Sequence, residues 1–174
     1  MIRWIVPAIA VVLFYLEPVF GLFSPIKIEE EYFSLIPRFA IMYLIFISIY
    51  YNTRRAMIYA LFFGLLYDMF FIDIIGLYAF LYPLMCLVAA FIVRYVHQHL
   101  FVTTILTLVL VAGLEFLLYQ FYSLIGQTDV SMHVFLRTRL MPTMIANSLF
   151  LFLLGWAFKY LISARHLQRT NQLT

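Results

Sequence analysis

Residues 56–76 read AMIYALFFGLLYDMFFIDIIG. The stretch is apolar enough for lipid, yet Ala56, Ala60, Gly64 and Asp68 recur every four residues and Gly76 follows. Small residues let helix backbones approach closely in a membrane. An ionisable residue at membrane depth is costly, so it faces protein, water or a partner. The segment therefore reads as a transmembrane helix with an interior contact to satisfy. Each four-residue step turns about 40° around the axis. The small residues thus form a slanting ridge suited to a crossing neighbour.

The rest of the chain agrees with this reading. Of 174 residues, 66% are hydrophobic and 11% charged, and mean hydropathy is +1.03. A soluble domain carries about 25% charged residues. The class is a polytopic all-α membrane protein. The apolar runs are too long and too little alternating for barrel strands. The formal net charge of +3 sits mostly between or after apolar spans, as the positive-inside rule expects, and does not point to nucleic acid. Cys86 is the only cysteine, which excludes an intrachain disulfide and a cysteine zinc site.

Six segments qualify as spans: roughly 4–23, 34–51, 56–72, 76–96, 101–125 and 139–162. They make one transmembrane domain over 1–162, followed by a short polar tail, 163–174, expected to fray. The first span resembles a signal peptide, but its small-residue pattern, Ala8-Ile9-Ala10, lies inside the apolar run, so it reads as a retained helix. With the N-terminus in the cytoplasm, Arg3, Arg54, Arg55, Arg94, Lys159, Arg165 and Arg169 lie inside, against Lys27, Arg38, Arg137 and Arg139 outside. This asymmetry places both termini in the cytoplasm. Trp4, Trp156, Tyr50, Tyr51, Tyr95 and Tyr160 sit near cytoplasmic span ends, as interfacial aromatics do. The outer stretch from Ser24 to Phe33 reads as a loop containing Glu29-Glu30-Glu31.

Three acids lie within spans: Glu17, Asp68 and Glu115. Each is on an outward-running helix, roughly 20 Å from its cytoplasmic start. Arg38, Arg137 and Arg139 enter the same outer third from the other side. These groups, Glu17, Arg38, Glu115, Arg137 and Arg139, are expected to form an outer-leaflet polar cluster with Asp68 deepest in the protein. The competing expectation is that the acids snorkel toward headgroups.

Other features carry less. Asn147 lies near mid-depth, where an amide can bond across helices. Thr103, Thr104 and Thr107 can bond their own backbone, and Pro83 is placed to kink the fourth helix. His97 and His99 do not share a helix face, so no metal site is expected there. No H-E-x-x-H, G-x-S-x-G or phosphate-binding glycine loop is present. Neither catalysis nor a cofactor is expected.

At Gly64-Leu65-Leu66-Tyr67-Asp68, then seven residues, then Gly76, the chain resembles the MreD family of rod-shape-determining membrane proteins. Size, six-span hydropathy, short loops and a minimal tail agree along the chain. The resemblance implies a fold like the S-components of energy-coupling-factor vitamin transporters. It implies a non-catalytic scaffold in the bacterial plasma membrane, within the elongation machinery that builds sidewall peptidoglycan. The implied partners are an MreC-like bitopic protein and, around it, RodA with a class B penicillin-binding protein, RodZ and the MreB filament. Physically, Ala56, Ala60 and Gly64 would provide close approach, and Asp68 would accept from a partner or from Arg38. The same ridge permits a homodimer. A second reading is a vitamin-binding transporter subunit, which the outer polar layer suits, although Ala8 and Val12 break the small-residue pair such subunits carry on the first helix. A third is an intramembrane lipid enzyme using Glu17, Asp68 and Glu115.

Overall fold

A helix that is apolar on every side has no solvent face to offer and is buried all round. That describes α2 (Phe39–Tyr50), whose residues Phe39 to Ile49 are all buried. Around it, in a computed structural model describing residues 5–28, 31–72, 74–96 and 99–171, pack α1 (Ile5–Gly21), α3 (Thr53–Phe71), α4 (Leu77–Val93), α5 (Leu100–Leu124) and α7 (Met141–Asn171). A short helix α6 (Met132–Phe135) and a π-helical turn, Leu136–Leu140, lead into α7. Hydroxyls at the central helix find partners there: Ser48 Oγ donates to the Cys86 carbonyl at 2.8 Å and Tyr43 Oη to that of Val6 at 3.3 Å.

The outward faces are apolar. Val12 and Tyr15 on α1, Phe62 and Met69 on α3, Phe101 and Val109 on α5, and Phe152 and Trp156 on α7 are exposed. Such continuous greasy surface is incompatible with a water-facing monomer and natural against acyl chains. Two helices, Leu100–Leu124 and Met132–Ser163, are long and apolar enough to cross a membrane by themselves. The helices α1, α2 and α4 are apolar but shorter.

Three local readings of the sequence are corrected. The outer stretch holds a small antiparallel hairpin, β1 (Ile26–Ile28) with β2 (Glu31–Phe33), in which Ile26 faces Phe33 and Lys27 faces Tyr32. Alternation over three residues is too short a signal to mark a strand. The second span is helical only from Phe39, not from residue 34. Pro37 biases residue 36 away from helix, and side chains from elsewhere supply partners to the non-helical residues. The last span is entered through a π-helical turn from Leu136, its α-helix α7 begins at Met141, and the helix continues through Asn171. Its charged residues ended the hydropathy window without ending the helix, since Arg, Gln and Leu favour helix as well as apolar residues do. Arg3, Trp4, Glu29, Glu30, His97 and Gln98, all named above, lie outside the described residues.

Candidate functional site

The G-x-x-x-D-x7-G residues build the corner between α3 and α4, the most extensive helix pairing in the molecule. A Cβ placed on Gly64 would stand 2.5 Å from the Tyr78 carbonyl oxygen and 2.7 Å from Ala79 Cα. Both are backbone atoms, so only glycine lets the helices meet here. Four residues on, Asp68 reaches the start of α4. Its Oδ2 accepts from the Gly76 amide at 2.9 Å and the Ala79 amide at 3.0 Å, and Oδ1 accepts from the Tyr78 amide at 2.8 Å. The first amides of a helix have no intrahelical acceptor, and the helix dipole favours an anion there. Gly76 holds the cap position at φ 105°, a left-handed conformation that glycine adopts without strain.

This geometry overturns one part of the sequence reading. Asp68 is buried, but its donors are α4 amides and neither Arg38 nor a partner. Ala56, Ala60 and Gly64 are buried inside the chain. The ridge is therefore not free to dock a second copy or another helix.

Arg38 and Glu115 meet in the interior. Arg38 Nε donates to Glu115 Oε1 at 2.6 Å, and both side chains are at most 2% exposed. Arg38 Nη2 donates to Tyr78 Oη at 2.9 Å, and its guanidinium lies over the rings of Tyr78 and Tyr67, 5.1 and 5.5 Å from their centroids. Those two rings stack with centroids 4.7 Å apart. The second Glu115 oxygen accepts from Arg139 Nη2 at 3.2 Å, so one carboxylate bridges two guanidiniums. Planar guanidiniums suit such shared and stacked contacts better than ammonium groups do. Arg137, on the same π-helical turn as Arg139, has an exposed side chain.

Glu17 lies at the head of α2. Its Oε1 accepts from the Ala40 amide at 2.7 Å, again a carboxylate on a helix start, and the side chain is buried and does not snorkel. The non-helical residues before α2 are held mainly by the last helix. Asn147 accepts from the Arg38 amide at 3.0 Å and donates to the Ile36 carbonyl at 3.1 Å. Thr143 Oγ1 accepts from the Ile36 amide at 3.1 Å and donates to the Ser34 carbonyl at 3.3 Å. The Ser34 amide donates to the Thr138 carbonyl, on the π-helical turn, at 2.8 Å. Non-helical backbone at membrane depth survives only where protein satisfies it. These two side chains do so.

A cavity of ≈ 560 Å³ opens above this layer, with Arg38, Arg139, Tyr67, Tyr78, Tyr122 and Gln127 in its wall. Among the described residues, no group of three His, Cys, Asp or Glu could hold a metal ion. Sequence reasoning missed the tyrosine wall and the Thr143–Asn147 anchor. Tyr67, Tyr78 and Tyr122 are dispersed over three helices, and only the fold gathers them. Asn147 was visible as a mid-depth amide, with no sign that its partner was backbone.

A family model described as rod shape-determining protein MreD matches residues 1–164. The rod shape-determining protein MreD of Bacillus subtilis (strain 168) is 31% identical to the chain over 149 residues, covering 84% of this chain and 86% of that protein. No solved structure matches the chain.

Proposed function

Because the chain belongs to the rod shape-determining MreD family, we propose that it acts in rod-shape determination as a multi-pass scaffold of the cytoplasmic membrane. The family is one of shape-determining proteins and not of enzymes. In this proposal α1, α2 with its lead-in, α3, α4, α5 and α7 make six crossings with both termini in the cytoplasm, in an S-component-like arrangement. At 1.5 Å per residue α2 alone reaches only about 18 Å, and residues 34–38 complete its crossing. The Arg38–Glu115–Arg139 layer then lies toward the extracytoplasmic face.

The observation that carries the non-catalytic reading is how the three intramembrane acids are held. Asp68 accepts three helix-start amides, Glu17 one, and Glu115 two guanidiniums. General acid–base work needs a carboxyl free to exchange a proton with a reacting group. These serve as joints between helices, and a rigid scaffold is what joints provide. The third reading, a lipid enzyme, has no support in this arrangement, and the family match lends none to the vitamin-transporter reading.

A chain with so little surface outside its helices recognises partners within the membrane or at its rim. The proposed partner is an MreC-like bitopic protein, which would tie the membrane domain to sidewall peptidoglycan synthesis by RodA and a class B penicillin-binding protein, with RodZ and MreB on the cytoplasmic side. Copurification of the tagged chain from its native membrane tests this. Recovery of a single-span MreC-like protein in fixed ratio is expected. Recovery of an ATPase pair in its place would overturn the scaffold reading in favour of a transporter subunit.

A further inference from the structure

We infer that the cavity above Arg38 is a binding site for one oxyanion, a carboxylate or phosphate, carried on a small aromatic or apolar body. Two guanidiniums share the single carboxylate of Glu115. After that sharing, Arg38 Nη1 and Arg139 Nε are buried with no acceptor among the described residues. Both arginines are in the wall of one cavity. Arg38 is 2% exposed, so its unused donor is fixed in place and shielded from bulk water. Buried donors left without acceptors are rare in native proteins, and these two are unspent hydrogen-bonding capacity on side chains that line the cavity. Charged donors favour an anionic one, because hydrogen bonds between ionised groups are the stronger kind.

The rest of the wall sets the ligand's body. Tyr67, Tyr78, Tyr122 and Phe71 present ring surface, and the ≈ 560 Å³ volume falls within the range of small-molecule pockets. Glu17 Oε2 and Tyr82 Oη also have no partner among the described residues, but neither residue is in this wall. The wall draws on the lead-in to α2, on α3, α4 and α5, and on α6 with its π-helical turn. Ser34, Gln127, Thr128 and Thr138 bring polar groups into the same wall, which suits a small anion-bearing ligand better than an acyl chain. The oxyanion then arrives either on a free small molecule or as an acidic side chain of a polypeptide.

The test uses the full chain purified in detergent, with calorimetry and thermal unfolding. The probes are benzoate, phenyl phosphate and uncharged benzamide, then acetyl-Phe-Asp-amide against acetyl-Phe-Asn-amide. At least one anion should bind about ten-fold more tightly than benzamide, the scale of one charge-assisted contact. Arg139, with its side chain 36% exposed, is the tolerant position to alter. Arg139→Gln should remove most of that preference and Arg139→Lys should keep part of it. The comparison of benzoate with benzamide on the unaltered chain stands whatever the variants' yield. If the aspartyl peptide outcompetes benzoate, the source is a polypeptide; the reverse order identifies a free small anion. Equal binding of benzamide, no binding of either anion at millimolar concentration, or undiminished preference in Arg139→Gln would each overturn the inference. None of these outcomes bears on the shape-determination reading, which copurification tests separately.

Discussion

At Gly64 the available space is set by backbone. Adding one methyl group brings it within 2.5 Å of the Tyr78 carbonyl oxygen, and no rotamer change can relieve that contact. Gly64→Ala must push α3 off α4, and overpacking of this kind costs about 1–3 kcal/mol or more. A lower unfolding temperature in detergent is the expected result. Asp68 supplies a graded series. Asp68→Asn keeps one acceptor oxygen, whereas Asp68→Leu leaves three amides without one, each at about 1–3 kcal/mol. Folded yield should fall in the order wild type, Asn, Leu. An Asp68→Leu protein that unfolds like wild type would refute the cap. At Glu115 the sign is equally definite: Glu115→Gln leaves two guanidiniums facing a neutral amide, and breaking a buried pair costs about 3–5 kcal/mol. Loss of folded protein on solubilisation checks it.

At the scale of elements, the joint between α2 and the last helix carries the most. Asn147→Leu deprives the Arg38 amide and the Ile36 carbonyl of their partners. Interhelical hydrogen bonds in membranes average only about 0.6 kcal/mol, so a loss of roughly 1–2 kcal/mol is expected for two. Faster amide hydrogen exchange at Arg38 is the direct readout, and unchanged exchange there would remove the anchor from the account. The helices were legible in the sequence because long apolar runs between charged turns leave few alternatives. The burial of α2 was not. In a soluble protein an all-apolar helix announces the core, but in a membrane protein the lipid-facing helices are equally apolar. The acids were legible as costly residues needing partners. Their partners were not, because Asp68 and Glu17 bind backbone amides, which every residue has and no sequence pattern marks. The ridge of Ala56, Ala60 and Gly64 was visible for the same reason as the acid, yet spacing alone does not say whether the facing helix belongs to the same chain.

For the whole molecule, the ridge is internal and the lipid-facing surface is made of large apolar side chains. A photocrosslinker at Ala60 should therefore give only intramolecular products, while one at Phe62, 54% exposed on the same helix, should capture lipid or a neighbouring protein. Dimer products from Ala60 would contradict the packing described here. The same logic bears on function. Under the scaffold proposal, a protein whose intramembrane carboxylates serve as helix joints would influence cell shape by holding partners in place. Depletion of the chain in a rod-shaped bacterium made dependent on it measures this most directly. The account predicts rounding of the cells, restored to rods by wild-type protein and not by Asp68→Leu, and depleted cells that keep growing as rods of normal width would contradict it.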